Sequence, residues 1–156
     1  TKPCTRQEFC QLVAAVTQKR IGNTVQQLIV YRGGTDSSFT DTDNADVLAC
    51  ASLGIVNGVG NGRFAPDAHI TREQAATMLV HAAGILDIRA NREHTPFNDA
   101  DRISTWAKAA VAEVSAMQTE DGAMVMQGVG SNRFAPSDPY TREQSIMTAY
   151  RLFRME

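Results

Sequence analysis

The sequence of 156 residues has little of several features that would point to a common functional class. Its net charge at pH 7 is only −2, and its fifteen Lys and Arg residues are scattered, so no basic face for nucleic acid is predicted. No apolar run approaches the roughly 20 residues needed to cross a bilayer. Residues 1–20 resemble a capped amphipathic helix, not a signal peptide. The composition, with 43% hydrophobic and 21% charged residues, is that of an ordinary globular domain.

Signatures of catalysis and of metal binding are also missing. The three histidines, His69, His81 and His94, occupy no repeated position and match no metal spacing. No Ser/His/Asp or P-loop pattern occurs either. The three cysteines form no metal or redox pattern and are expected to be small buried hydrophobes: Cys4, Cys10 and Cys50. The sequence therefore predicts a non-catalytic protein without cofactor or metal.

What the chain does contain is an internal repeat. Residues 56–74 and 126–144 share eleven of nineteen positions at a constant offset of 70, and the motif TRQE at residues 5–8 is a third, shorter copy. FTDTD at residues 39–43 returns as FNDAD at residues 97–101. A long fixed period indicates one supersecondary unit used repeatedly, in which each copy buries its apolar face against its neighbours.

Each copy of the TR motif is predicted to begin a helix, called here a TRxE-type helix. A Thr at the N-cap with Glu or Gln three residues later forms a capping box, and apolar residues follow at helical spacing. The three pairs are Thr5/Glu8, Thr71/Gln74 and Thr141/Gln144. Three such helices can bury their apolar faces against one another in a small bundle.

A second type of helix is predicted before each complete loop. Asp43 or Asn44 can cap one that ends near Gly54, and Asp101 can cap another that carries Trp106. A glycine-rich loop follows each helix, and the Phe-x-Pro sequence after the loop is expected to anchor it to the body. We call each such helix and loop an arm.

The repeats divide the chain into three units. Residues 1–32 form a partial first repeat with only its second half, residues 37–90 a second repeat, and residues 94–156 a third, all within one compact module. Because the chain begins inside a unit, it is expected to be a piece of a longer polypeptide. Residues 22–38 and the insertion around residues 118–124 are interpreted as loops with some local structure.

An arginine directly follows the N-cap threonine of each TRxE-type helix: Arg6, Arg72 and Arg142. A cation is mildly unfavourable there, because the free N–H groups and the helix dipole already make this end positive. The same position suits an anion, since a guanidinium beside free N–H donors can hold a carboxylate or phosphate. Two interpretations stay open: a ligand site, or a strut paired with an acidic residue of a neighbouring repeat, and one arginine can serve both.

Together, the F-x-D starts, the helix with W-A, the G-rich loops with F-x-P and the TRxE-type starts resemble the S-layer homology domain over most of the chain. The resemblance implies an all-α, pseudo-threefold bundle with three central TRxE-type helices and outer helix-loop arms. It further implies a bacterial cell-surface module that binds acidic, often pyruvylated, secondary cell-wall polymers without catalysis, as part of a larger exported protein. The family's acidic partner of the arginine maps to Glu8, whereas Gln74 and Gln144 stand at that position in the other copies.

The candidate ligand-binding residues combine the helix starts, the loops and the tryptophan. They are Arg6, Arg72, Arg142, Glu8, Glu73, Glu143, Gln74, Gln144, Asn57, Gly58, Gly60, Asn61, Gly128, Gly130, Ser131 and Trp106. Arg72 and Arg142 are expected to contact the anion. Trp106 could stack on a sugar, although its place on an apolar stripe favours the core.

Three other interpretations compete with glycan anchoring. Glu73 and Asp99 could act as acid and base in glycoside hydrolysis, although helix capping explains such residues more simply. Asp41, Asp43 and Asp46 have DxD-like spacing but lack the glycine and the distal Glu of a calcium loop. A protein–protein or self-assembly module is the most serious rival. Apolar surface left by the absent first half-repeat could then be covered by residues 21–38 or by a second copy of the chain.

Overall fold

The computed structural model describes residues 1–156, and all of its regular secondary structure is helical. It contains six α-helices, two 3₁₀ turns and no strand, which confirms the predicted all-α class. The helices are α1 (Arg6–Ile21), α2 (Val25–Arg32), α3 (Ala45–Ser52), α4 (Arg72–Ile85), α5 (Lys108–Ser115) and α6 (Arg142–Phe153), with 3₁₀ turns at Ala100–Arg102 and Thr105–Ala107. None of the helices has the length and apolar character required to traverse a membrane.

The three TRxE-type helices α1, α4 and α6 begin as predicted. At each start the Thr hydroxyl accepts from the backbone N–H three residues on, and the Glu or Gln side chain accepts from the Thr N–H. Two otherwise free donors are satisfied at each helix end. The sequence signal is local, so it is sufficient to fix these three boundaries.

A closed ring of backbone hydrogen bonds joins the chain segments that lead into these helices. The N–H of Cys4 donates to Tyr140 at 2.8 Å, that of Tyr140 to Ile70 at 2.9 Å, and that of Ile70 to Cys4 at 2.9 Å. Helix packing is less regular, since α1 packs against α4 and α6 but these two share no comparable contact. The pseudo-threefold symmetry of the whole bundle therefore stays a prediction.

The arms dock on the preceding repeat. Helix α3 of the second unit packs against α1, and α5 of the third unit packs against α4. No arm covers α6, because these 156 residues contain only two. Helix α2 packs against α1 and α3, so residues 21–38 do not cover the open face of α6.

The aspartate of each F-x-D start closes its own arm. The carboxylate oxygens of Asp99 accept from the N–H groups of Phe134 and Ala135, both at 2.8 Å. Asp41 holds the equivalent residues 64 and 65 in the same way at 2.8 and 2.9 Å. Ala135 has a φ of 56°, in the left-handed region that a residue with a side chain rarely adopts. The hydrogen bonds that Asp99 accepts hold the loop in this conformation.

Two local predictions were wrong. Residues 25–32 form helix α2, whose start carries a capping box between Thr24 and Gln27 that the sequence also displays.

The second wrong prediction concerns Asp101, which caps no helix. The chain makes two 3₁₀ turns there, and α5 begins only at Lys108. The cause is Ser104, whose N–H and hydroxyl donate to Glu73 of the neighbouring repeat and hold the backbone extended. Asn44, not Asp43, caps α3. The cysteines are free and buried, as expected.

Asp99→Asn should lower stability and its acid dependence. Burial raises the pKa of Asp99, but the N–H donors of Phe134 and Ala135 outweigh burial and hold the pKa below its usual value. A depressed folded pKa stabilises the fold above the unfolded pKa of about 4, and this stabilisation is lost as the pH falls further. We expect the free energy of unfolding at pH 7 to fall by about 1–3 kcal/mol. Urea titrations between pH 7 and pH 3 would measure both effects.

Asp36→Asn is the matched control for this prediction, because Asp36 is exposed and makes no hydrogen bond. An Asp99→Asn variant that matches this control at every pH would show that the carboxylate does not hold the loop.

Candidate ligand-binding grooves

Arg6 is buried and spans to the loop of the next repeat. Its Nε donates to the carbonyl of Phe64 at 2.8 Å and its Nη2 to the carbonyl of Asn57 at 3.0 Å. The guanidinium lies 4.7 Å from the centroid of the Phe64 ring, within the range of a cation–π contact. Arg6 therefore clamps the two ends of the glycine-rich loop of the second repeat.

Arg72 makes the same contacts one repeat later. Its Nε donates to Phe134 at 2.6 Å and its Nη2 to Gln127, with the guanidinium 4.9 Å from the Phe134 ring. Both arginines are nearly inaccessible, with exposed fractions of 5% for Arg6 and 3% for Arg72. Burial lowers the pKa of each guanidinium, yet arginine starts from a value high enough to stay charged.

Arg142 has a different environment although its sequence context is the same. No third glycine-rich loop exists in these residues, and the exposed guanidinium instead pairs with Glu8 of the first repeat. The N–H of Thr5 and then Arg142 lower the pKa of Glu8. Thus only the third arginine is paired with a carboxylate, as the strut interpretation had it, and the other two bind backbone carbonyls.

The acidic residues next to the arginines also differ between repeats. Glu73 is buried, and its carboxylate accepts from Ser104 N–H at 2.9 Å and from Ser104 Oγ at 2.7 Å. Glu143 is exposed and lies 4.0 Å from the amino group of Thr1. Glu73 consequently fixes the arm of the third repeat, whereas Glu143 has no arm to fix.

A pocket of about 460 Å³, the first groove, lies where three repeats meet. Its walls come from the first-repeat arginine, the second-repeat loop, one face of α4 and the third-repeat tryptophan. The lining residues are Arg6, Ile55, Val56, Asn57, Gly58, Val59, Gln74, Thr77, Met78, His81 and Trp106. Residues 74, 77, 78 and 81 share one helical face, so the position of Gln74 and the helix period together could have identified the other three.

A smaller pocket of about 270 Å³, the second groove, repeats this arrangement. It is lined by Arg72, Gln127, Gly128, Tyr140, Glu143, Gln144, Met147, Thr148 and Arg151. Six of these residues stand 70 positions after a residue of the first groove, and Arg72 stands 66 after Arg6. The second groove lacks a counterpart of Trp106, because no arm covers α6.

Trp106 is not a core residue, which corrects the preferred expectation. Its side chain is 59% exposed and lines the first groove, while the adjacent Ala107 is buried. The residue lies in a 3₁₀ turn that Ser104 and Glu73 hold in place, not on the helical stripe that the sequence suggested. An exposed indole with a fixed backbone is a suitable surface for stacking on a sugar.

The glycine-rich loops divide into groove-lining and outer residues. Gly58 and Gly128 line the grooves, and a Cβ on either would lie 2.7 Å from a carbonyl oxygen of the same loop. The remaining candidates lie at exposed turns with positive φ and line none of the grooves: Gly60, Asn61, Gly130 and Ser131. The inner ends of the loops therefore line the grooves, and the tips lie outside them.

The residues behind the competing interpretations are engaged in structural contacts. Both oxygens of Glu73 and of Asp99 accept hydrogen bonds from neighbouring repeats or loops. Asp41 holds its own loop, and no three His, Cys, Asp or Glu side chains are grouped to share a metal ion.

Comparison with known proteins identifies the family of the second repeat. The model of the S-layer homology domain matches residues 38–76. An endoglucanase of Bacillus sp. (strain KSM-635) is 36% identical over an aligned length of 115 residues, and the alignment covers 70% of this chain and 12% of that protein. The exoglucanase XynX of Acetivibrio thermocellus is 28% identical over an aligned length of 159 residues, and the alignment covers 97% of this chain and 13% of that protein. The chain thus spans only a small part of the curated relatives it matches.

Residues 38–76 therefore form an S-layer homology domain, a non-catalytic class of module that anchors proteins to the cell wall. The chain accordingly belongs outside the cell, at the bacterial cell wall.

Arg72→Ala and Arg142→Ala should differ sharply in stability despite their equivalent sequence positions. Removing Arg72 leaves two loop carbonyls without their charged donor, so we expect a loss on the order of 3 kcal/mol in the free energy of unfolding. Arg142 is exposed and its ion pair with Glu8 is solvent-screened, so its removal should cost much less. Urea denaturation of the two variants measures the difference. Equal losses would show that Arg72 is not a buried clamp.

Proposed function

We propose that this chain attaches an exported protein to the cell wall by binding an acidic glycan in the first groove. The observation that carries the proposal is the meeting of an arginine, amide side chains and an exposed tryptophan in one pocket. The Nη1 of Arg6 makes no hydrogen bond within the protein and is the donor left for a ligand carboxylate, such as that of a pyruvylated sugar. We further propose that the chain itself performs no catalysis.

The rest of the first groove matches the chemistry of a sugar. Trp106 offers an apolar face for the C–H surface of the ring, and the amide of Gln74 can both donate to and accept from hydroxyl groups. The walls are already held in place by the clamp of Arg6 and by the Glu73–Ser104 contact, so little ordering is needed on binding.

The second groove would bind the same glycan less well. It contains Arg72, Gln144 and Gly128 but no exposed aromatic side chain, since its Tyr140 is buried. Arg142 and Glu143 lie where a third arm, packed on α6, would complete a further site. Because these 156 residues contain only two arms, we expect Arg142 and Glu143 to make at most a peripheral contribution. The proposed units 1–32, 37–90 and 94–156 thus supply one groove with all its walls.

Trp106→Ala should weaken binding to purified cell-wall polymer about tenfold without unfolding the protein, because the side chain is exposed. Removing the acidic substituents from the polymer should weaken wild-type binding by about 1.5–3 kcal/mol. Added salt should weaken the binding of the acidic polymer, because it screens the attraction between the carboxylate and the arginine. Calorimetric titration measures both effects.

Tyr31→Ala is the control, since Tyr31 is an exposed aromatic on α2 that lines no groove. If Trp106→Ala binds as well as Tyr31→Ala, or if the polymer binds equally without its acidic groups, the first groove is not the glycan site.

Self-assembly is the second candidate, and the open face of α6 favours it. Four apolar side chains are exposed on this helix, Ile146, Met147, Tyr150 and Phe153, of which Met147 also lines the second groove. Three of the equivalent residues of α1 lie under α3 and are buried: Cys10, Ala14 and Thr17. The equivalent of Met147 is Gln11, which is exposed. An apolar row of this kind on one helix is a typical association surface.

Charge placement makes this surface complementary to itself. Glu143, in the first turn of α6, and Arg154, its C-cap residue, lie on the same face about three turns apart, on either side of Met147 and Tyr150. Within one chain Arg154 pairs with Asp121 at 3.1 Å, and both side chains stay partly exposed. In an antiparallel pair of α6 helices, Glu143 of each copy would face Arg154 of the other, and the apolar residues would meet at the centre. A second copy of the chain would then cover the face that no arm covers.

Sedimentation velocity without glycan tests this second candidate. We expect wild-type protein to form dimers in a concentration-dependent manner and Tyr150→Lys to remain monomeric, because the lysine places two cations at the centre of the interface. Tyr31→Lys should dimerise as wild type does. A wild-type protein that stays monomeric throughout would exclude self-assembly through α6.

A further inference from the structure

We propose that the first groove continues past Trp106 into a second sugar subsite between α4 and α5. The inference rests on the proposed glycan binding and adds to it a specificity for at least two linked sugars, the acidic one beside Arg6 and an uncharged one beyond the tryptophan. A pocket of about 590 Å³ lies there, somewhat larger than the first groove. Both volumes fall within the range of ordinary small-molecule sites.

The two pockets adjoin along one wall. Thr77, His81 and Trp106 line both of them, so a ligand that leaves the first groove along α4 enters the second pocket directly. Trp106 stands at the junction with its indole exposed, and its ring can contact the C–H faces of two consecutive sugars. No charged residue lies at this junction.

His81 has a defined orientation at the junction. Its Nδ1 lies 3.2 Å from the carbonyl oxygen of Ile55. A carbonyl can only accept, so Nδ1 carries the hydrogen, and in the neutral ring Nε2 is left as an acceptor. That acceptor suits a sugar hydroxyl near the linkage between the two subsites.

The far end of the second pocket selects against a second acidic sugar. One oxygen of Glu113 accepts from the N–H of Ala90 at 2.7 Å, and the other has no protein partner. Arg89 also lines the pocket, with Asp87 at 3.8 Å from its guanidinium. Both side chains of this ion pair are exposed, so the pair is weak. The free carboxylate oxygen of Glu113 can accept from a sugar hydroxyl and repels another carboxylate, which favours an uncharged sugar beside it.

Gly84 keeps this pocket open and offers a way to block it. It lies on α4 and lines the second pocket but not the first groove, and a Cβ at this position would meet no heavy atom within 4 Å. A larger side chain can thus be added without a clash at its base, and replacing a helical glycine also favours the helix. Gly84→Phe should occupy the subsite, and Gly84→Ala should leave it open.

The experiment compares a methyl glycoside of a pyruvylated monosaccharide with a disaccharide in which a neutral sugar is attached to it. Isothermal titration calorimetry should show that wild-type protein binds the disaccharide about tenfold more tightly than the monosaccharide. Gly84→Ala should keep this difference. Gly84→Phe should abolish it while its affinity for the monosaccharide stays at the wild-type value.

The outcomes separate this inference from the proposed function. If the monosaccharide binds but the disaccharide binds no more tightly, or if Gly84→Phe keeps the tenfold difference, the second subsite is excluded and the first groove stands. If folded wild-type protein binds neither sugar, both proposals are overturned. Circular dichroism and urea denaturation of each variant establish that it is folded.

Discussion

In two places the structure depends on a buried arginine that holds the loop of the next repeat. Arg6 and Arg72 each place a guanidinium over a phenylalanine ring and donate to two backbone carbonyls of that loop. With water excluded, these charge-assisted hydrogen bonds are costly to break, because a buried carbonyl or cation would be left without a partner. One wall of each groove is built from this contact, so the same residue that joins the repeats also lines the proposed ligand site.

Arg142 shows that this role is set by the neighbours of a residue and not by its motif. It follows the same capping threonine as Arg72, yet it is exposed and paired with Glu8, because these residues contain no loop for it to hold. The open apolar face of α6 around Tyr150 has the same origin. Three equivalent helix starts thus yield one groove with all its walls, one without a tryptophan, and one helix face open to association.

Predictions from sequence succeeded where the decisive contacts are short in sequence. The capping boxes at Thr5, Thr71 and Thr141 each involve residues three apart, and the motif alone identified them. The same signal at Thr24 and Gln27 starts α2, so this helix too has a local cause in the sequence, contrary to the loop expected there. The inner loop glycine Gly58 was likewise predictable, since the close backbone approach it permits is within its own loop.

The tryptophan illustrates where such reasoning ends. Helical periodicity placed Trp106 on an apolar stripe, but Glu73, some thirty positions earlier, holds Ser104 and turns the ring outward. The sequence by itself determined the helical class, the repeats and the starts of the TRxE-type helices, because capping and periodicity act over a few residues. Only the tertiary structure decided which arginines are buried, where Trp106 faces and which groove is complete, because each of these depends on a partner from another repeat.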